Sequence, residues 1–251
     1  MSKPYVTSKA YADGILEITF FHPKHNSLPS ELLKELASSI AKAGQDASVS
    51  LIILKSAGDR TFCAGASFDE LIGIDSLEEG IRFFSGFANV INACRKCPKL
   101  IIGRVQGKAI GGGVGLAAAV DYCFATKYAS VKLSELNIGI GPFVISPAVE
   151  RKIGLAAFSH LSLNPNDFLE ASWAKNVGLY NEVFETMEEM DEALDQHAKH
   201  LATTNPDARS ALKRVFWEGC DHWDDLLAQR AAQSGRLVLS DFTKNALKSY
   251  K

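Results

Sequence analysis

The sequence predicts an α/β fold, because short apolar segments of strand length alternate with amphipathic helical segments. Residues 15–21, 51–54 and 100–105 are aliphatic or aromatic runs, each followed by a loop of small or polar residues. Apolar residues recur at helical spacing within 32–43 and 81–93. This alternation is typical of α/β proteins.

The composition is that of a water-soluble globular protein. The 251 residues fit one domain, or one domain with an appendage, and 47% are hydrophobic and 22% charged. A net charge of −2 gives no reason to expect a nucleic-acid or membrane partner. Residues 1–14 lack the apolar core of a secretory signal, and no apolar stretch is long enough to span a bilayer. Five cysteines form no disulfide framework, so we expect a reducing, cytoplasmic environment.

The first elements follow from local signals. Asp13-Gly14 predicts a turn before the strand Ile15–Phe21. Ser27 is placed to cap a helix whose first turn holds Pro29, and Gly44 is expected to end that helix. The predicted buried face of the helix is Leu32, Leu33, Leu36, Ile40 and Ala43.

The middle of the chain supplies two strands and a long helix. Leu51–Leu54 and Leu100–Val105 read as buried strands, and the acidic stretch Asp69–Gly80 between them is interpreted as a mobile flap. In the helix Ile81–Ala93, the apolar residues available to line core or pocket are Phe83, Phe84, Phe87, Val90 and Ile91. The pair Cys94 and Cys97 has CxxC spacing without a second ligand pair, so no metal site is predicted.

The last third is predicted to be largely helical. A buried strand, Asp121–Ala125, precedes helical stretches at 148–163 and 168–176, and another strand is expected within 178–184. Further helices are predicted over 188–201, 207–219 and 226–251. His197 and His200 share one helical face without a third ligand and are interpreted as surface residues. We divide the chain into a core, 1–195, and a C-terminal helical region, 196–251.

Two stretches of small residues suit an oxygen that becomes an anion. In the first, Gly111, Gly112 and Gly113 lie between a strand and an alanine-rich helix, where no Cβ obstructs the backbone N–H groups. In the second, residues 61–68 follow a strand in the same way. Two N–H donors from separate loops, aimed at one point, form an oxyanion hole.

These two stretches resemble the crotonase family, the enoyl-CoA hydratase/isomerase superfamily. Phe62–Ala66 matches the first oxyanion loop of that family, and Gly111–Leu116 with Asp121 matches the second. The resemblance covers nearly the whole chain and implies a spiral of ββα units with a C-terminal helical trimerisation region. It also implies a homotrimer or homohexamer, and no cofactor apart from the coenzyme A carried by the substrate.

The same resemblance assigns residues to the acyl-CoA. The N–H groups of Ala66 and Gly112 would hold the thioester oxygen as it becomes an enolate, with Ala64 and Gly111 beside them. The resemblance also implies that Lys24 and His25 lie next to the coenzyme A.

Glu135 is the candidate acid–base residue. It stands among apolar residues, where desolvation should raise its pKa and suit it to proton transfer. The resemblance matches Glu135 to the family glutamate that moves a proton at the α-carbon. Where hydratases of the family carry a second glutamate, this chain has Gly115.

Gly115 leaves two reactions open. Hydration is served by a pair of carboxylates, whereas one glutamate can shuttle a proton between carbons and isomerise a double bond. The stretch Glu135–Pro147 resembles the methylglutaconyl-CoA hydratase-like branch, which favours hydration of a short or branched enoyl-CoA. We expect a branched or carboxylated acyl group to fill the space that the missing glutamate leaves.

Two function classes compete with this interpretation. Residues 113–118 fit G-x-G-x-x-A, and Glu135 follows at a distance suited to a ribose-binding acid, which would indicate a dinucleotide-binding domain. That reading leaves the loop 62–66 unexplained. A non-catalytic acyl-CoA-binding protein is the other alternative, since a fold can outlive its chemistry. No G-x-S-x-G elbow is present to indicate a serine hydrolase.

Overall fold

In the computed structural model, which describes residues 3–248, nine strands form two sheets covered by helices. The strands are β1 (Tyr5–Ala10), β2 (Ile15–Phe21), β3 (Leu51–Ser56), β4 (Thr61–Cys63), β5 (Leu100–Val105), β6 (Lys108–Ile110), β7 (Tyr122–Thr126), β8 (Val131–Lys132) and β9 (Glu182–Phe184). The helices are α1 (Ser30–Gln45), α2 (Phe68–Ile72), α3 (Leu77–Lys96), α4 (Gly112–Ala119), α5 (Ser146–Leu163), α6 (Ala171–Asn176), α7 (Met187–Ala202), α8 (Pro206–Phe216), α9 (Trp223–Leu237) and α10 (Asp241–Lys248). The predicted α/β class is confirmed.

The larger sheet has the order β1-β2-β3-β5-β7-β9, and all its pairs are parallel except β1 with β2. Its inner parallel strands β3 and β5 are buried on both faces along most of their length, whereas β1 at the edge is largely exposed. Along β3, Ile52 and Leu54 pack into the main core with α1 and α3, while Leu51 and Ile53 join a second cluster under α7.

The smaller sheet has the order β4-β6-β8, and the two loops of small residues follow β4 and β6. Residues 108–110, within the predicted glycine loop, form the strand β6, which pairs with both β4 and β8. This sheet therefore brings the loop after β4 next to the turn between β6 and α4.

Several predicted boundaries are wrong. Pro29 is the cap residue of α1, so Ser27 lies in the preceding loop. The predicted flap 69–80 contains most of α2 and the start of α3, with Leu71 buried. The predicted helix 226–251 is divided into α9 and α10, and its last three residues, 249–251, lie outside the described part of the chain.

The C-terminal helices pack on the core. Helix α7 is continuous from Met187 to Ala202, across the boundary at 195. His197 on α7 is half-buried and stacks on the Tyr122 ring with 4.7 Å between centroids, while His200 is exposed. Across residues 3–248, no helix combines the length and apolarity needed to cross a membrane.

Candidate active site

A cavity of about 370 Å³ lies where the two glycine-rich segments meet. Its walls come from the loop after β4, from α3, from the turn between β6 and α4, and from the segment that joins β8 to α5. Phe68 and Leu71 of α2, Lys132 of β8, Phe168 and Ser234 also line the cavity. The cavity therefore unites Ala64, Ala66, Gly111, Gly112 and Glu135, as the sequence predicts.

The loop after β4 approaches α4 through backbone alone. Gly65 has φ +89°, and a Cβ added to it would lie 3.1 Å from the Ile110 carbonyl oxygen and 3.5 Å from the Gly112 nitrogen. A Cβ on Gly113 would lie 2.4 Å from the Cys63 carbonyl oxygen. Side chains at these two glycines would force the two loops apart.

The N–H groups of Ala66 and Gly112 remain available at this junction. The neighbours of Ala66 are engaged, since the Gly65 carbonyl accepts from Leu28 N at 2.8 Å and Ser67 N donates to the Leu28 carbonyl at 3.2 Å. Within residues 3–248, neither the Ala66 nor the Gly112 N–H donates a backbone hydrogen bond. Gly112 is also the first residue of α4, at the positive end of the helix dipole.

Glu135 faces these donors from a short 3-10 helix, Glu135–Ile138, that directly follows β8 and Ser134. A Cβ placed on Gly111 would lie 2.9 Å from Glu135 Oε1, so only glycine leaves room for the carboxylate. Glu135 Oε2 is buried and has no hydrogen-bond partner within the described residues. Burial raises the pKa of Glu135 to about 7, against the smaller opposing effect of backbone hydrogen bonds.

Most of the remaining wall is apolar. Phe83, Phe84 and Phe87 project from α3, and a Cβ on Gly112 would lie 2.3 Å from the Phe87 ring. Helix α9 reaches the cavity because it crosses α3 at a glycine pair: a Cβ on Gly80 would lie 2.9 Å from the Gly235 Cα. This close crossing carries Ser234 into the cavity wall.

The position expected to hold a second glutamate is closed. Gly115 is buried in α4, and a Cβ added there would lie 2.4 Å from Cγ2 and 2.8 Å from Cβ of Ile145. The expectation that the acyl group fills this space is wrong, because the Ile145 side chain occupies it. Glu135 is consequently the only carboxylate among the described residues that line the cavity.

Lys24 and His25 lie outside the lining of this cavity in the described structure. Their loop borders the first oxyanion loop, since the Ala64 N–H donates to the His25 carbonyl at 3.2 Å. Lys24 is exposed and pairs with Asp69 at the start of α2. His25 has φ +53°, which turns the chain back toward Leu28.

All five cysteines are buried and free. Within residues 3–248, no group of three potential metal ligands occurs around Cys94 and Cys97 or elsewhere. Desolvation raises the pKa of Cys94 to about 12, which leaves it as a neutral packing residue.

The sequence does not predict several of the residues that line the cavity. Ile145 lies within Glu135–Pro147, but nothing near it in the sequence indicates contact with Gly115, which is 30 residues away along the chain. Ser234 and Lys132 carry no motif. The glycines at 80 and 235 are the one signal that could have placed α9 against α3.

Comparison with known proteins agrees with this geometry. A sequence profile of the family described as Enoyl-CoA hydratase/isomerase matches residues 10–249. The short-chain-enoyl-CoA hydratase of Clostridium acetobutylicum is 29% identical over 237 residues, covering 93% of this chain and 89% of that protein. The mitochondrial methylglutaconyl-CoA hydratase of Rattus norvegicus is 35% identical over 227 residues, covering 88% of this chain and 70% of that protein.

Among solved structures, the crystal structure of enoyl-CoA hydratase from Bacillus halodurans superimposes with a TM-score of 0.91. It is 23% identical in sequence and covers 98% of this chain and 99% of that one. At this identity the likeness shows the fold, which is the one that the oxyanion-loop motifs predict.

Proposed function

Because the chain belongs to the enoyl-CoA hydratase/isomerase family, we propose that it hydrates a short or branched enoyl-CoA, of the methylglutaconyl-CoA type, with Glu135 as its single acid–base residue. One observation carries this proposal: a carboxylate with one buried, unpartnered oxygen lines the same largely apolar cavity as two N–H groups that donate to no backbone carbonyl within residues 3–248. Membership of the family excludes the dinucleotide-binding alternative.

The N–H groups of Ala66 and Gly112 hold the thioester oxygen in this proposal. As electrons move from the double bond into the carbonyl, the oxygen becomes an enolate and both hydrogen bonds strengthen. Each donor of this kind contributes about 3 kcal/mol to stabilising the transition state. Enclosure by Phe87 and its neighbours keeps bulk water from weakening these bonds.

Glu135 serves both proton steps. In its ionised form it takes a proton from water while the water oxygen bonds to the β-carbon, and the resulting carboxylic acid then returns a proton to the α-carbon of the enolate. Because its pKa is raised to about 7, both forms are populated near neutral pH. The reaction consumes only water and the thioester, so the proposal includes no separate cofactor.

Double-bond isomerisation is the second candidate, and the Gly115–Ile145 contact favours it. With Ile145 against Gly115, no second carboxylate lies in the described cavity wall to hold a water molecule. Glu135 alone can remove an α-proton of a 3-enoyl-CoA to give a dienolate and return a proton to its γ-carbon, which moves the double bond into conjugation with the thioester without water.

The coenzyme A portion and the assembly complete the proposal. We place Lys24 and His25 beside the coenzyme A, since their loop continues the cavity rim at Ala64. We also propose a homotrimer or homohexamer, which would cover the exposed apolar side chains Leu155 and Leu163 on α5. Light scattering on the purified protein tests the assembly, and a monomer would contradict it.

Steady-state turnover on two substrate types tests the reaction. We expect hydration of crotonyl-CoA or methylglutaconyl-CoA, which is measured as the loss of absorbance of the conjugated thioester. Formation of that absorbance from a 3-enoyl-CoA without any hydration would select the isomerase. Binding of both thioesters without turnover of either would select the non-catalytic acyl-CoA-binding protein.

A further inference from the structure

The acyl cavity contains one cationic side chain in the described structure, Lys132. It projects from β8, three residues before Glu135, and the carbonyl oxygen of Lys132 accepts a hydrogen bond from Gly111 N at 2.9 Å. The backbone of Lys132 is thus fixed next to the oxyanion turn, while its side chain lines the same cavity as Glu135.

The ammonium group of Lys132 has no anionic partner in residues 3–248. Its Nζ donates to the Asn166 carbonyl at 2.8 Å and lies 5.1 Å from the centroid of the Phe168 ring, which also lines the cavity. The acidic residues on the adjacent segment, Asp167 and Glu170, form no ion pair with it.

An acyl group that carries its own carboxylate needs such a partner. Moving a carboxylate into an apolar cavity is costly unless it is paired, and the nearby Glu135 adds like-charge repulsion. Lys132 at present donates to a neutral carbonyl oxygen. Exchanging that acceptor for a carboxylate gives a hydrogen-bonded ion pair, in which donor and acceptor are both charged and the attraction is stronger.

We propose that Lys132 binds a free carboxylate on the acyl group, so that the preferred substrates are enoyl thioesters of dicarboxylic acids. This inference rests on the proposed function, since it names the substrate class of the same site. It makes Lys132 a specificity-determining residue rather than a part of the proton transfer.

Lys108 provides a matched control. Its Nζ lies 4.6 Å from the centroid of the same Phe168 ring, but Lys108 is exposed and does not belong to the described cavity lining. The variants Lys132→Met and Lys108→Met each remove one positive charge close to the Phe168 ring. Only Lys132→Met removes a charge from the residues that line the cavity.

The kinetic test compares methylglutaconyl-CoA with 3-methylbut-2-enoyl-CoA, which has the same branched enoyl unit without the carboxylate. We expect Lys132→Met to lower kcat/KM for the carboxylated substrate about 10- to 100-fold, mainly through KM, because a hydrogen bond to a charged group is lost. Turnover of the uncarboxylated substrate should not change, and Lys108→Met should affect neither. Equal loss on both substrates, with weaker inhibition by free coenzyme A, would overturn the proposal and assign Lys132 to a phosphate.

A binding measurement separates this inference from the proposed reaction. Glutaryl-CoA and pentanoyl-CoA are saturated, cannot be hydrated and differ chiefly in the terminal carboxylate. If Lys132→Met binds glutaryl-CoA more weakly than the wild-type protein does, and binds pentanoyl-CoA equally well, the inference is supported even if no hydration is found. Unchanged calorimetric Kd values for both thioesters would overturn it even if hydration is confirmed.

Discussion

Two buried carboxylates in this protein have opposite surroundings. Asp121, at the start of β7, accepts from Lys213 Nζ at 2.7 and 2.9 Å, from Ile101 N at 2.8 Å and from Trp217 Nε1 at 3.3 Å. The side chains of Asp121 and Lys213 are only 4% and 2% exposed. Glu135, in contrast, keeps one buried oxygen without any partner in the described structure.

The difference separates a structural carboxylate from a reactive one. The partners of Asp121 stabilise its charge, and because they lie on α8 and β5 they tie these two elements together. The surroundings of Glu135 destabilise its charge and raise its pKa to about 7. An unfavourable environment of this kind is typical of a site that performs proton transfer.

The largest expected effect is on turnover when Glu135 is neutralised. Glu135→Gln keeps the volume of the side chain but cannot exchange a proton, so we expect kcat to fall by about 10²- to 10⁴-fold. Steady-state kinetics measures this loss, and thermal unfolding shows whether the variant is folded. A fully active Glu135→Gln enzyme would remove the distinction between the two carboxylates.

Neutralising Asp121 should act on stability instead. Asp121→Asn leaves the buried Lys213 charge without its counter-ion, which we expect to lower the free energy of unfolding by about 3–5 kcal/mol. Urea unfolding measures this change. At low temperature, the turnover rate per folded molecule of Asp121→Asn should remain that of the wild-type protein.

An exposed ion pair provides the reference for Asp121. Lys127 and Glu185 form an ion pair with side chains 45% and 72% exposed, so Glu185→Gln should cost less than about 1 kcal/mol. Similar costs for Asp121→Asn and Glu185→Gln would contradict the structural role of Asp121.

Substitution of Gly111 should disturb the reactive carboxylate through the backbone. Gly111→Ala places a methyl group 2.9 Å from Glu135 Oε1 at φ +53°, so we expect both a loss of stability of about 1–2 kcal/mol and a fall in kcat. Gly154→Ala, at φ +76° with no atom within 4 Å of the added Cβ, isolates the backbone cost. If the two variants lose the same activity, Glu135 is not constrained by Gly111.

The smallest expected effect is that of pH on kcat/KM. Ionised Glu135 is the form that begins either proposed reaction, so kcat/KM should rise with pH through an apparent midpoint near 7, the value to which burial raises its pKa. A midpoint near 4.5, the ordinary value for glutamate, would contradict the desolvation of Glu135.

The raised pKa of Glu135 also makes the stability of the folded protein depend on pH. The folded protein binds this proton more tightly than the unfolded chain, so Glu135 contributes stability at low pH that is lost between pH 4.5 and about 7. The stability of Glu135→Gln relative to the wild-type protein should therefore increase from pH 5 to pH 8 in urea unfolding.

Local features of the sequence predicted much of the site. The resemblance of the two small-residue loops to the crotonase family predicted that Ala66 and Gly112 belong to one site, and both residues line the described cavity. Both loops also contain glycines with backbone conformations that few other residues adopt. The apolar neighbours of Glu135 predicted the direction of its pKa shift. These features depend on residues close together in the sequence.

Contacts between distant segments were not predictable in the same way. Ile145 closes the space at Gly115 because α5 packs against α4, and Ser234 enters the cavity because two glycines let α9 cross α3. The positive charge of Lys132 can be read from the sequence, but the position of Lys132 in the cavity depends on the pairing of β8 with β6. Such pairings follow from the packing of the whole chain.

Hydrogen–deuterium exchange at the α-carbon tests the central claim most directly, because hydration and isomerisation both require Glu135 to move a proton at that carbon. The saturated thioester butyryl-CoA is incubated with enzyme in D₂O, and loss of the α-proton signal is followed by NMR. We predict exchange with the wild-type protein and with Asp121→Asn below its unfolding temperature, and none above background with Glu135→Gln. Exchange by Glu135→Gln at the wild-type rate would contradict the assignment of Glu135 as the residue that moves the α-proton.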